Sequence, residues 1–284
     1  MTQAATEAPK GEDWAGDMGA RWLASLDQFE GMIAPIGAAL LAQADYQPGE
    51  RVLDVGCGGG ATTLAIADAV GLDGAAFGLD VAPMLIARAQ ERAAASQSTA
   101  RFVCADAATA RLAEPPFDRL FSRFGSMFFE APVPAFANLK TLLKPGARID
   151  LAVWANPRDN AWMMEVMGVV RRHVDIPPAV PRAPGPFAFE DLGYLQDILD
   201  TAGFTAFGAV AYEGEQPVGG PGATADEATG FVLASMAAGR VLAQQGEAVQ
   251  DAARDDLRRL FDDHHRTGEG VMLGCKAWLV TAQT

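Results

Sequence analysis

The stretch Arg51-Val-Leu-Asp-Val-Gly-Cys-Gly-Gly-Gly-Ala61 constrains this chain more than any other. Val52, Leu53 and Val55 form the short apolar run of a buried parallel strand, and the glycines behind them reach backbone angles closed to other residues. The strand therefore ends in a tight loop. Ala61 to Val70 supplies helix formers, with Leu64, Ile66 and Val70 on one stripe, so the loop opens onto a helix N-terminus with unpaired N–H groups. Such a turn is a cradle of nucleotide size in which missing side chains let a ligand touch backbone.

Strand and helix then alternate. Strand 51–55 precedes helix 61–70, strand 75–79 precedes helix 83–95, and strand 100–104 precedes a short segment at 107–112. Strand 117–121 leads to helix 132–143, and strand 148–154 follows the turn Lys144-Pro145-Gly146. This rhythm predicts right-handed crossovers between parallel strands: an α/β, doubly wound sheet with helices on both faces and ligands outside the strands' carboxyl ends. Ahead of it, Trp22, Leu23, Leu26, Phe29, Met32 and Ile33 recur at helical spacing and Ile36 to Leu41 continue, so two helices meeting at Pro35 are expected. Residues 1–13 offer too little apolar surface to fold and read as a disordered leader.

After Trp154 the rhythm breaks. Residues 156–203 read as a helical insertion, with helices 161–173 and 192–202 around a Pro-rich stretch at 177–186. Residues 204–284 hold two last strands, 204–212 and 270–281, with a helical insertion at about 222–264 made of helices 223–245 and 247–264. Residues 14–155 are then the N-terminal helices and ligand-binding core, and the insertions cap them within one structural domain.

Charge narrows the partners. With a formal net charge of −14 and no basic cluster, the chain repels phosphate backbones, so nucleic acid is excluded and a small molecule is expected. No apolar run approaches the ~18 residues of a membrane span and no signal-like start is present, which implies a cytoplasmic protein with no membrane partner. Cys57, Cys104 and Cys275 are far apart, fit reduced thiols and make no metal site; Cys104 and Cys275 read as buried small hydrophobes.

Three carboxylates sharpen the glycine loop. Asp54 ends the first strand, Asp80 ends the second, twenty residues past Gly60, and Asp106 follows the third. Asp80 is placed to accept ribose hydroxyls and Asp106 an adenine amino group, so the ligand bears adenosine. Gly56-Cys57-Gly58-Gly59-Gly60-Ala61 also satisfies the dinucleotide fingerprint, which keeps an NAD(P)-dependent oxidoreductase in play. Asp54 separates the two: a carboxylate there sits poorly beside a pyrophosphate and well beside the amino group of an amino-acid moiety.

At these residues the chain resembles the class I S-adenosylmethionine (SAM) dependent methyltransferases, in particular their ubiquinone/menaquinone-type small-molecule branch. The resemblance covers Trp14 to Trp154 through VLDVGCGGG (52–60), GLDVAPML (78–85), CADA (104–107), FDRLFSRFGSMFF (117–129) and LKPGAR (143–148), where Gly-Ala-Arg replaces the usual Gly-Gly-Arg. It implies a Rossmann-like methyltransferase fold of seven mostly parallel strands with the last antiparallel. It further implies that Asp54 with the backbone of Gly56, Cys57 and Gly58 holds the methionine part of SAM and Asp80 its ribose. Val81 and Met84 would flank the adenine, Asp106 and the Ala107 amide would read its edge, and Ser122 and Arg123 would border the sulfonium. Asp118, at the opposite end of its strand, reads as structural.

The expected reaction moves a methyl group to a small, apolar or aromatic acceptor and leaves S-adenosylhomocysteine. Trp22, Arg123, Met127 and Trp154 are candidates for the acceptor pocket, although aromatic and Met stripes also serve as plain core. An antiparallel last strand would bring His264 and His265 to the active rim as a candidate base, while Asp262-Asp263-His264-His265-Arg266 equally suits a solvated helix end. A SAM-binding module without catalysis stays open, as do the acceptor atom and the oligomeric state, a homodimer included.

Overall fold

The computed structural model describes residues 12–114 and 116–284. Most of the expected leader, residues 1–11, lies outside them; Glu12 pairs with Arg240 at 3.1 Å. Helices α1 (Asp17–Ala24) and α2 (Leu26–Ala44) come first. The alternating core follows as β1 (Arg51–Val55), α3 (Ala61–Val70), β2 (Ala75–Asp80), α4 (Pro83–Ser96), β3 (Arg101–Cys104), β4 (Phe117–Arg123), α5 (Pro132–Thr141) and β5 (Leu143–Trp154). The remainder is α6 (Ala161–His173), α7 (Leu192–Thr201), β6 (Thr205–Val218), α8 (Ala225–Ser235), α9 (Ala237–Leu242), α10 (Glu247–Asp263), β7 (His265–Arg266) and β8 (Gly270–Gln283).

The sheet runs β3-β2-β1-β4-β5-β8-β6, with the two-residue β7 added to β8. Strands β3, β2, β1, β4 and β5 are parallel neighbours, and β8 lies antiparallel to both β5 and β6. This is the expected mostly parallel sheet with an antiparallel last strand. The order reverses between β1 and β4, so the crevice of the fold opens outside the ends of those two strands. Both faces of the sheet are apolar: Val52, Leu53, Leu120, Phe121, Ile149 and Leu151 are all fully buried.

Several expectations change. The break between the first helices falls at Ser25, and Pro35 lies inside α2, one unpaired carbonyl being a smaller loss than splitting a helix that buries Met32, Ile33, Ile36 and Leu40. Helix 223–245 is divided at Met236, which is extended (φ −99°, ψ 168°), and the bare Gly239 then lies against the Leu233 carbonyl where a Cβ would not fit. Cys104 is exposed, since β3 is the edge strand, whereas Cys275 is buried. The 156–203 segment also splits in role. Helix α6 packs on α10, α9 and β8 in a cap, while α7 buries Leu195, Ile198 and Leu199 against α5 and β6 as a helix of the sheet.

Helix α2 lies across the sheet and is pinned at its C-terminus. Asp150 of β5, fully buried, accepts from Arg119 Nη2 at 2.8 Å and from Arg148 Nε at 2.8 Å. The same arginines donate to the last carbonyls of the helix, Arg119 to Ala44 at 2.8 Å and Arg148 to Gln43 at 3.0 Å. Removing the carboxylate leaves the buried Arg119 with Glu50 as its one acid and the partly exposed Arg148 with none among the described residues. Asp150→Ala is therefore expected to cost about 3–5 kcal/mol in urea unfolding; a loss below about 1 kcal/mol would show that the cluster is solvated.

Candidate active site

The crevice is built from backbone. Gly56 has φ 70°, and a Cβ there would lie 2.6 Å from the Gly125 Cα; a Cβ on Gly125 would lie 2.8 Å from the Gly56 Cα. The loops after β1 and β4 thus pass in direct backbone contact. Ser122, fully buried, ties them by donating to the Val55 carbonyl at 2.8 Å and accepting from the Ser126 N–H at 3.2 Å. Beside them Phe124 holds φ 64°, a conformation costly for a side-chain-bearing residue, and stacks on Trp154 at 4.3 Å.

The other glycines differ in what they face. Gly59 is covered by Leu26, Arg92 and Glu30, and Gly60 by Ala89 and Phe102. Gly58, at φ 54°, has only the Trp22 indole nitrogen near, 3.8 Å from where a Cβ would stand. It is the loop residue whose backbone a ligand can approach.

Asp54 and Asp80 flank this opening. Asp54 is 1% exposed; its Oδ2 accepts the hydroxyls of Thr62 and Thr63, each at 2.7 Å, and its Oδ1 has no partner. Burial pushes its pKa up to about 6, against the lowering effect of the two threonine hydroxyls and the Arg123 charge. Asp80 Oδ2 accepts from Gly58 N–H at 2.8 Å and Oδ1 from Ala82 N–H at 2.9 Å, so the carboxylate shapes the loop and keeps one lone pair on each oxygen. Burial raises its pKa against those backbone donors. Further along the rim, Val81 is 39% exposed, Met84 is half-buried and Asp106 is exposed, with its carboxylate in a turn on Ala108 N–H at 2.8 Å. Ala107 lies buried beside it.

Not every expected residue sits as its role requires. The Cys57 thiol is buried under the loop against Gly78, where burial raises its pKa, and its backbone is spent on the Leu79 carbonyl and the Gly60 N–H. Ser122 already uses its hydroxyl between the two loops, which makes it a wall of the site rather than a contact for a sulfonium. His264 and His265 are not at the rim. Trp154, at the end of β5, pairs with Ala277, and β8 runs on for seven residues beyond that to Gly270, where His265 pairs with Val271. That places the histidines roughly 20 Å further along the strand. His264 pairs with Glu165 of α6 at 2.9 Å and His265 is exposed.

The candidates for an acceptor pocket fall in two aromatic groups. Trp22 stacks on Phe29 at 3.9 Å and meets Trp14 at 5.7 Å, Trp14 meets Phe128 at 4.7 Å, and Trp154 packs on Trp162 at 5.1 Å. Met127 is buried in the turn between them. Arg123 leans on α2, its Nη1 2.8 Å and its Cδ 3.0 Å from where a Cβ on Gly37 would stand.

Two supports escape sequence reasoning. Arg92 of α4 pairs with Glu30 and Asp27 of α2, each at 2.7 Å, and donates to the Gly59 carbonyl at 3.1 Å, clamping the loop under the helix. Partners more than sixty positions apart leave no local signal. Thr62 and Thr63 did leave one, as adjacent hydroxyls in the first turn of a helix facing a strand-end carboxylate.

Residues 52–146 match a protein family described as "Methyltransferase domain". This segment is a class I SAM-dependent methyltransferase domain. An uncharacterised protein of Mycobacterium tuberculosis is 32% identical over 152 residues, 53% of this chain and 54% of the relative. Aklanonic acid methyltransferase DauC of a Streptomyces species is 33% identical over 116 residues, 40% of this chain and 53% of that one. The matches thus span about half the length of these curated relatives. The crystal structure of YcgJ from Bacillus subtilis superposes with a TM-score of 0.55 over 88% of this chain and 98% of its own, at 18% identity, a likeness of fold. The match ends within β5, so β8, β6 and the cap helices lie beyond it.

Two outcomes follow from this geometry. Gly56→Ala is expected to unfold or grossly destabilise the protein, because Cβ would meet backbone, whereas Gly58→Ala should fold with a loss of about 1 kcal/mol from its positive φ; equal losses in urea midpoint would refute the distinction. Asp54, with a folded pKa above its unfolded one, destabilises the ligand-free fold increasingly from about pH 4 to 6 and fully above that. Asp54→Asn should therefore be about 2–3 kcal/mol more stable than the parent at pH 8, with the gain gone near pH 4, in paired unfolding curves.

Proposed function

We propose that this chain transfers a methyl group from SAM to a small organic acceptor and releases S-adenosyl-L-homocysteine. The buried Asp54 Oδ1 without a donor, beside the open Gly58 of a methyltransferase domain, carries this reading. A carboxylate oxygen left so costs at least about 1–3 kcal/mol, and the ammonium of an amino-acid moiety relieves the cost. A pyrophosphate in the same place would add a like charge, which disfavours a nicotinamide dinucleotide.

The rim fits the rest of such a ligand. Gly56 and Cys57 spend their N–H groups on the Leu79 carbonyl and Gly58 its own on Asp80, so the loop borders the methionine part with backbone whose donors are already paired, and the free lone pairs of Asp80 suit vicinal ribose hydroxyls. Val81 and Met84 give the adenine apolar faces, while Asp106 and the Ala107 amide border its polar edge. SAM supplies, when bound, a methyl group on a positively charged sulfur. The protein then needs to orient the acceptor and exclude water, which Trp22, Phe29, Met127 and Trp154 do by walling the crevice with flat apolar surface. Such walls suit a planar or greasy acceptor. The aklanonic acid methyltransferase, whose name gives a small organic acid as its acceptor, is in keeping with that.

Titration calorimetry on the purified chain tests the reading. SAM and S-adenosylhomocysteine should bind and NAD should not, and Asp80→Ala should weaken S-adenosylhomocysteine by ten- to a hundredfold, about 1.4–2.7 kcal/mol. NAD binding in place of SAM would overturn it. A metabolite mixture incubated with SAM should then yield a product heavier by one methyl; binding without any such product would reduce the chain to a SAM-binding module.

A further inference from the structure

Arg123 stands at the end of β4, half-buried in the crevice, and among the described residues it makes no hydrogen bond and no ion pair. The carboxylates near enough to act on it are Glu30 and Asp54. Neither closes to ion-pair distance: Glu30 is held by Arg92 at 2.7 Å, and Asp54 Oδ2 is held by Thr62 and Thr63. Other interior arginines of the chain have an acid within ion-pair distance, Arg119 with Asp150 and Glu50, Arg92 with two carboxylates, and Arg51 with Glu114 at 3.6 Å. Arg123 has no such pair among the described residues, and it sits at the end of β4.

It has company. The Ser126 hydroxyl, three residues on, is buried without a partner, and so is the indole N–H of Trp14, which packs on Phe128 in the same turn. Guanidinium and indole groups donate only. A cation and unmet donors on one turn, or packed against it among aromatic rings, suit an acceptor with negative charge.

We propose that Arg123, with the Ser126 hydroxyl and the Trp14 indole, binds a carboxylate, so that the methyl acceptor is an aromatic or apolar organic acid rather than a neutral or cationic molecule. This rests on the methyltransferase reading, and the same chemistry is present in the carboxylate of the SAM methionine end. A cation beside a sulfonium is otherwise unfavourable; an anionic acceptor between them removes the repulsion.

The test uses the full chain with Arg123→Gln, Arg123→Lys and Gly37→Ala, the last keeping the charge while its methyl displaces the guanidinium. Calorimetry measures S-adenosylhomocysteine, 5′-methylthioadenosine, which lacks the amino-acid carboxylate, and 2-naphthoate against 2-naphthamide with S-adenosylhomocysteine present. Naphthoate should bind at least tenfold tighter than the amide to the parent, an advantage lost in Arg123→Gln and in Gly37→Ala and partly regained in Arg123→Lys, with the preference for S-adenosylhomocysteine over methylthioadenosine kept. If instead the parent's preference for S-adenosylhomocysteine over methylthioadenosine is what Arg123→Gln abolishes, the carboxylate is that of the cofactor and the acid-acceptor proposal falls. If neither preference changes, or naphthoate binds neither protein, the receptor itself is refuted. Failure of S-adenosylhomocysteine to bind the parent would sink the methyltransferase reading instead, and the naphthoate pair measured on the protein alone would still judge Arg123.

Discussion

The contact of two bare backbones, Gly56 against Gly125, is the constraint on which the rest of the site depends. It occurs where the sheet order reverses, so it closes the bottom of the crevice that the topology opens. Because the contact leaves no room for a Cβ, the loops after β1 and β4 hold their spacing, and Ser122 fixes it with both halves of its hydroxyl. The carboxylates of Asp54 and Asp80 are then presented at fixed positions on either side of Gly58. Preorganisation of this kind lets an electrostatic site act without first ordering itself.

A second constraint holds the roof. Helix α2 is anchored at its C-terminus by the Asp150, Arg119 and Arg148 cluster and near its N-terminus by Glu30 and Asp27 on Arg92. Between these anchors it lays Gly37 on the Arg123 side chain and, with α1, brings Trp22 and Phe29 over the loop. The raised pKa of Asp54 is a consequence of this closure. A site sealed from water holds its carboxylate at a cost to the empty protein, and a cationic ligand recovers it, which couples stability to binding.

Much of this was legible in order along the chain. Apolar runs of strand length alternating with helical stripes specify a doubly wound sheet, since each element has one way to bury its apolar surface. The glycines after β1 and the acids ending β1 and β2 also mark the rim. The role of each glycine was not legible: Gly56, Gly59 and Gly60 serve packing, and Gly58 alone among them is left open. Ser122 reads like a ligand contact in sequence and is a tie between loops in space. The histidines illustrate the converse, because an antiparallel last strand does start on the active side, yet β8 overshoots the rim by seven residues and carries them into the cap.

Sequence by itself determined the fold class and the acidic, glycine-rich character of the site, because periodicity and turn chemistry act over a few residues and need no partner. Tertiary structure decided which groups are spent and which are free. Arg92 and Glu30 find each other across sixty-two positions, and Arg123 finds no hydrogen-bond or ion-pair partner among the described residues. Such pairings depend on which side chains the packed layers bring within a few ångströms, a property of the assembled sheet and its covering helices that no local pattern encodes.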